Sequence, residues 1–306
     1  MGRAWWRWAR AIAGAIILFV LVRNFLHDWK DVQSQPIVWH FRWEFIIASL
    51  LVTWVMYGIL IWGWRVILHG WGQRIRAVDA ARIWSISSLG KYIPGKVWAI
   101  AGMAMMAEKQ GVSGAAATGS AIIMQLLAIT TGTVMAIALL GSSLLESIPG
   151  GTIAAIGVAV TALIGAISLA SPAVANWIGF LIRRPDAVHA VEPNALAGSI
   201  FANLLAWGGY GLSLQLLAAG TMPSVDLSWS TATGAFAASY IVGYLVLFAP
   251  AGFGVREGLL IFMLKGTIGI GPATALAAAS RITLTINELG IAVPFLLHWI
   301  GKPRDA

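Results

Sequence analysis

Residues 87–98 read Ser-Ser-Leu-Gly-Lys-Tyr-Ile-Pro-Gly-Lys-Val-Trp, and they interrupt the apolar stretch 80–107. Pro94 lacks a backbone N–H and ends a helix, while the glycines on either side of it permit the tight turns that a buried loop requires. Lys91 and Lys96 place two positive charges at the break. The stretch therefore predicts two short helices joined by a charged turn, which is a re-entrant hairpin and not a spanning helix.

Residues 248–258 read Phe-Ala-Pro-Ala-Gly-Phe-Gly-Val-Arg-Glu-Gly, and they break the apolar stretch 230–266 in the same manner. Proline and glycines precede a second short apolar helix, and the cation Arg256 follows directly. Neither break is a nucleotide site. In the first break Val97 stands where a P-loop needs Ser or Thr, and in the second Glu257 stands where a dinucleotide-binding motif needs its third glycine. The second stretch predicts a second re-entrant hairpin.

The composition indicates that these breaks lie inside a lipid bilayer. The 306 residues are 59% hydrophobic and 10% charged, with a mean hydropathy of +0.82, whereas a soluble domain carries about 25% charged residues. The absence of cysteine excludes disulfides, thiolate metal sites and a cysteine nucleophile. The net charge of +8 resides in residues beside the apolar stretches, which favours membrane orientation and anionic lipid over nucleic acid as its explanation.

The remaining apolar stretches predict spanning helices, because each approaches the roughly 20 residues that cross a bilayer. Six of them are present: 9–26, 44–68, 113–140, 152–182, 195–219 and 272–299. The first follows a basic flank without a cleavage pattern, so we expect an uncleaved span. The predicted fold is an all-α polytopic membrane protein with six spanning helices plus two re-entrant helical hairpins.

The distribution of basic residues predicts the orientation of these segments. The basic loops and both termini fall on the cytoplasmic side if each hairpin enters and leaves by one face, the first from the cytoplasm and the second from outside. This makes an inverted 3+3 repeat. We expect a first repeat over 1–182, with the start of the fourth span from 152, a cytoplasmic linker over 183–194 and the remainder of the second repeat over 195–306.

Two charges in the last span are unusual, because an ionised side chain at the bilayer centre costs at least ~2.5 kcal/mol and is normally paired or functional. Arg281 and Glu288 lie seven positions apart, on one face of a helix. Two interpretations remain open. Arg281 and Glu288 either join Arg256 and Glu257 in a buried ion-pair network that locks the helices together, or form a substrate site with an excess of positive charge.

The strings Gly-Lys-Tyr-Ile-Pro-Gly-Lys-Val-Trp at 90–98 and Pro-Ala-Gly-Phe-Gly-Val-Arg-Glu-Gly at 250–258 together resemble the paired signatures of the lysylphosphatidylglycerol synthase transmembrane-domain family. The resemblance covers nearly the whole chain. In that family the membrane domain translocates lipid, and a separate soluble domain performs the aminoacyl transfer. Since 306 residues leave no length for that soluble domain, we expect a stand-alone, flippase-like membrane domain.

The two breaks and the last span supply the expected head-group site. By resemblance, Lys91, Lys96, Arg256 and Glu257 occupy motif positions, whereas Arg281 and Glu288 follow from the cost of charge in the bilayer. The complete predicted set is Lys91, Tyr92, Pro94, Gly95, Lys96, Gly252, Gly254, Arg256, Glu257, Arg281 and Glu288. Helix N-termini and cations of this kind bind phosphate.

The expected function is transport of an anionic phospholipid or a polyprenyl-phosphate-linked lipid between the leaflets of a bacterial cytoplasmic (inner) membrane. We expect no enzyme activity, cofactor, metal or nucleic acid partner, because no catalytic constellation of side chains is recognisable. A membrane-embedded glycosyl or acyl transferase acting on lipid is the alternative, as is a scaffold for such an enzyme. The other partners that the sequence allows are a lipid-modifying enzyme and further copies of the same chain.

Overall fold

The computed structural model describes residues 40–93, 98–146, 190–246 and 249–300, together with isolated positions between 153 and 180. Within these residues the secondary structure is helical and contains no strand. The helices are α1 (Trp43–Gly70), α2 (Ala77–Ser88), α3 (Trp98–Glu108), α4 (Gly114–Glu146), α5 (Pro193–Thr221), α6 (Trp229–Leu245), α7 (Val255–Ile268) and α8 (Ile270–Ile300).

Four helices of the described part, α1, α4, α5 and α8, are long and apolar enough to cross a membrane. They confirm four of the six predicted spans. The predicted span 9–26 lies outside the described residues, and so does 152–182 apart from isolated positions. Large apolar side chains of α1, such as Leu51 and Val55, are more than half exposed, as expected where lipid replaces water as the solvent. The chain is a multi-pass membrane protein.

Helices α1 and α5 pack against each other as an antiparallel pair, and contacts hold both ends. At one end the Arg42 N–H donates to the Gly220 carbonyl over 2.8 Å, and at the other end the Trp71 indole N–H donates to the Ala190 carbonyl over 3.1 Å. Between them the hydroxyl groups of Ser49 and Ser213 lie 2.8 Å apart. The two ends of the α1/α5 pair therefore mark two opposite ends of the molecule.

Each broken stretch contains a pair of short helices with a 3-10 turn at the break. The first consists of α2, the turn Leu89–Tyr92 and α3, and the second of α6, the turn Pro250–Gly252 and α7. The two helices of each pair contact one another, and the two turns contact one another as well. Helices α2 and α3 have 12 and 11 residues, so each is about 17 Å long, well below the ~30 Å of the hydrocarbon layer.

The two broken stretches start from opposite ends of the α1/α5 pair. Helix α2 follows the end of α1 at Gly70, whereas α6 follows the end of α5 at Thr221, and the two helices run in opposite directions. The first stretch also returns to its starting end, because the Ser113 N–H donates to the Gln73 side chain over 2.9 Å. The two turns thus meet between the ends of the molecule.

Hydrogen bonds hold several basic side chains in place at the end of the molecule where α1 meets α2. The Asp79 carboxylate accepts hydrogen bonds from Arg76 over 2.7 Å and from Arg82 over 3.1 Å. The hydrogen bond to Asp79 raises the pKa of Arg76. Nearby, the Arg65 guanidinium donates to the Ile75 carbonyl over 3.1 Å. This end therefore carries ordered positive charge.

Candidate functional site

A cavity of about 240 Å³ lies between the two 3-10 turns and the helices around them. Its charged lining residues are Lys91, Arg256, Arg281 and Glu288. All five tyrosines of the chain line it too: Tyr57, Tyr92, Tyr210, Tyr240 and Tyr244. The volume lies below the roughly 300–1,000 Å³ of most ligand pockets, so the cavity suits a small ligand group.

Glu288 of α8 is held by three donors from two other parts of the chain. Its Oε1 accepts from the Lys91 ammonium over 2.5 Å and from the Tyr57 hydroxyl over 3.2 Å, and its Oε2 accepts from the Tyr92 hydroxyl over 2.8 Å. The Glu288 side chain is 7% exposed. Helix α8 is thereby joined to α1 and to the first 3-10 turn. Among the described residues no group of three His, Asp or Glu side chains is arranged to hold a metal ion.

Arg256, in the first turn of α7, is the most deeply buried cation of the cavity, with 6% of its surface exposed. Its guanidinium donates to the Ser280 hydroxyl over 3.2 Å and stacks over the rings of Phe236 at 4.8 Å and Tyr240 at 5.6 Å. No carboxylate of the described residues forms a salt bridge with it. Aromatic faces and one hydroxyl stabilise this cation without neutralising its charge.

Arg281 of α8 holds the second 3-10 turn. Its guanidinium donates to the Ala251 carbonyl over 3.0 Å and pairs with Glu257 at 3.4 Å. It also lies 5.4 Å from the ring centre of Phe253 and 5.9 Å from that of Tyr92. One side chain therefore contacts residues of both broken stretches at the point where they meet.

The second turn has a backbone that depends on its glycines. Gly252 and Gly254 have φ values of 69° and 80°, and Ala251 also lies in the left-handed region at 49°, which costs a non-glycine residue about 1 kcal/mol. A Cβ atom at Gly252 would meet the backbone of Gly243 at 3.0 Å. The Gly254 N–H donates to the Glu257 carboxylate over 2.7 Å, which satisfies a free donor at the start of α7.

The cavity brings together part of the set predicted from the sequence. Lys91, Tyr92, Gly252, Arg256, Arg281 and Glu288 line it. Gly254 and Glu257 support the second turn. Pro94, Gly95 and Lys96 lie outside the described residues.

The predicted pairing within an Arg256, Glu257, Arg281 and Glu288 network is wrong in one respect. Arg281 pairs with Glu257, but Glu288 pairs across the cavity with Lys91, and Arg256 has no salt bridge among the described residues. Seven positions on a helix correspond to about 10.5 Å along its axis, too far for Arg281 and Glu288 to touch. The first turn brings Lys91 closer to Glu288 than either arginine.

The sequence interpretation missed four of the cavity's five tyrosines, Tyr57, Tyr210, Tyr240 and Tyr244. A signal for three of them was present, because tyrosine normally lies at the ends of membrane helices, whereas Tyr57, Tyr210 and Tyr240 occur inside apolar helices. A buried phenol hydroxyl requires a partner, which points toward a polar interior. The Tyr57 hydroxyl finds it in Glu288.

Comparison with known proteins agrees with this description of the chain. A family model described as the lysylphosphatidylglycerol synthase TM region matches residues 7–286, a range that contains both broken stretches and the cavity residues up to Thr285. No curated protein matches the chain. The family match points to a role connected with membrane lipid. With most of its length covered by that model, the chain belongs to the lysylphosphatidylglycerol synthase transmembrane-region family.

Proposed function

We propose that the chain is a lipid transporter that moves an anionic phospholipid or a polyprenyl-phosphate-linked lipid between leaflets, and that it is not an enzyme. The observation that carries the proposal is Arg256, a buried cation without a salt bridge among the described residues, in the wall of a cavity where two broken helices meet. A buried charge without a salt-bridge partner is costly. A phosphate entering the cavity supplies that partner.

The charge balance of the cavity also favours an anionic head group. Three cations and one carboxylate line it. Lys91 engages that carboxylate and Arg281 pairs with Glu257, so Arg256 is the charge in excess. The tyrosine hydroxyl groups add hydrogen-bond donors without negative charge. A head group whose net charge is positive would be repelled by this excess positive charge, so the cavity discriminates against it.

The helix arrangement supports access to this site from both sides of the membrane. The broken stretches start from opposite ends of the α1/α5 pair, and their turns meet in between. The two halves of the chain also pack against each other in a reciprocal way. Helix α4, which follows the first broken stretch, contacts α6 of the second stretch, and α8, which follows the second, contacts α2 of the first. This reciprocal packing fits an inverted repeat with two re-entrant hairpins, the arrangement by which many transporters build a midplane site.

Single-cysteine labelling tests this topology, because the chain contains no cysteine of its own. Ser224 and Gln110 are exposed residues in connections at opposite ends of the molecule. With the basic end cytoplasmic, Ser224→Cys is expected to react with an impermeant thiol reagent in intact cells, whereas Gln110→Cys should react only after the cells are opened. Labelling of both variants in intact cells contradicts the re-entrant first hairpin.

Reconstitution separates transport from catalysis. Purified chain in liposomes is expected to move fluorescent phosphatidylglycerol from the inner to the outer leaflet, where dithionite quenches it, and mass spectrometry should find the lipid unchanged. Fluorescent phosphatidylcholine, whose head group adds a cation to the phosphate, should move more slowly. A new lipid product formed by the chain alone would replace the transporter with the transferase alternative.

A further inference from the structure

The three donors around Glu288 form a receptor for an anion. Lys91 supplies an ammonium, and Tyr57 and Tyr92 supply hydroxyl groups, all directed at one carboxylate. A phosphate group accepts the same charge-assisted hydrogen bonds as a carboxylate. A side chain of the protein itself thus occupies an anion site that opens onto the cavity.

A phosphate in the cavity competes with Glu288 for these donors. The Lys91 side chain is 29% exposed and lines the cavity together with Arg256 and Arg281, so a phosphate drawn toward the arginines comes within reach of it. Two anions on one ammonium repel each other strongly where the dielectric constant is low. Only one of them therefore holds Lys91 at a time.

The displaced carboxylate has another positive charge nearby, because Arg256 lines the same cavity. Displacement also releases α8 from Tyr57 and from the first 3-10 turn, since Glu288 makes those contacts. Arrival of the phosphate is in this way coupled to loss of the hydrogen bonds that join the first 3-10 turn to α8.

From this geometry we infer that Glu288 is an exchangeable resident anion, which a lipid phosphate displaces from Lys91, Tyr57 and Tyr92 and which returns to those donors to expel the phosphate. The inference rests on the proposed function and defines one step of it. It predicts that removal of the carboxylate tightens binding of the head group and slows its release. A glutamate that only stabilises the fold has the opposite effect on binding, because its loss loosens the site.

The test compares purified full-length native chain with the Glu288→Gln variant, and the probe is dihexanoylphosphatidylglycerol titrated by calorimetry in detergent. Glutamine has nearly the same size as glutamate but carries no charge, so this substitution removes the anion while it preserves the volume of the side chain. We expect at least a ~10-fold lower Kd for the variant, together with slower transfer of fluorescent phosphatidylglycerol in liposomes. A titration with inorganic phosphate distinguishes a free anion from a lipid phosphate. A titration with dihexanoylphosphatidylcholine, whose head group adds a cation to the same phosphate, tests whether binding requires a net negative head group.

Glu108→Gln is the matched control, since Glu108 is an exposed carboxylate at the end of α3, and its Kd should equal that of the native chain. If Glu288→Gln does not fold, Glu288→Asp serves instead, because its shorter side chain holds Lys91 less well and should also lower the Kd. If the folded variant binds the lipid with an equal or higher Kd than the native chain, the inference is wrong. The transporter proposal still stands in that case, because the native chain binds the lipid. Absence of binding by the native chain overturns both.

Discussion

Liposomes that contain the Arg256→Gln variant are expected to transfer fluorescent phosphatidylglycerol about 100-fold more slowly than liposomes with the native chain. Arg256 is the buried cation of the cavity that donates to a hydroxyl and stacks on aromatic rings, without a salt bridge in the described part of the chain. The phosphate loses its hydration on entering the cavity, and this cation offsets part of that cost. Loss of about 3 kcal/mol of stabilisation in the rate-limiting state corresponds to the expected factor.

Lys109→Gln provides the control for a change of net charge, because Lys109 is an exposed cation beyond the end of α3. Its transfer rate should match that of the native chain. Arg256→Lys keeps the charge but replaces the planar guanidinium that stacks on Phe236 and Tyr240, so we expect an intermediate rate. Equal rates for Arg256→Gln and Lys109→Gln, with both variants folded, exclude Arg256 from the transport path.

The helices and the breaks were predictable because both depend on local sequence. Runs of about 20 apolar residues specify spans, and the four long helices lie within a few residues of their predicted limits. Proline and glycine likewise mark the breaks, which the structure places at Leu89–Tyr92 and Pro250–Gly252. Helical periodicity also placed Arg281 and Glu288 on one face, and both line the cavity.

The partners of the charged side chains were less predictable, because they depend on how distant segments meet. Helical spacing relates residues within α8, but the approach of Lys91 to Glu288 joins positions 197 apart in the chain. The tyrosines of the cavity come from α1, α5, α6 and the first turn, and their common location is a property of the packing of four segments. Periodicity indicates which face of a helix is polar and leaves its partner undetermined.

The Lys91→Met variant is expected to unfold at a temperature roughly 10 °C below that of the native chain in detergent. The substitution leaves the Glu288 carboxylate, 7% exposed, without a cation, although Tyr57 and Tyr92 still donate to it. Removal of one member of a buried ion pair costs about 3–5 kcal/mol, and each kcal/mol corresponds to roughly 2–4 °C for a domain of 150–250 residues. The midpoint of thermal unfolding, followed by tryptophan fluorescence, measures the loss.

The double variant Lys91→Met with Glu288→Met separates the contribution of this pair to stability from its contribution to transport. Replacing both charges with apolar side chains of similar length removes the uncompensated anion, and such replacements are often neutral or stabilising. The double variant should therefore unfold at a higher temperature than Lys91→Met alone, which is the non-additivity expected of residues in contact. Its transport of phosphatidylglycerol should nevertheless stay low, because the phosphate has lost the Lys91 ammonium. Recovery of transport together with stability would show that the pair serves only to hold α8 against the first turn.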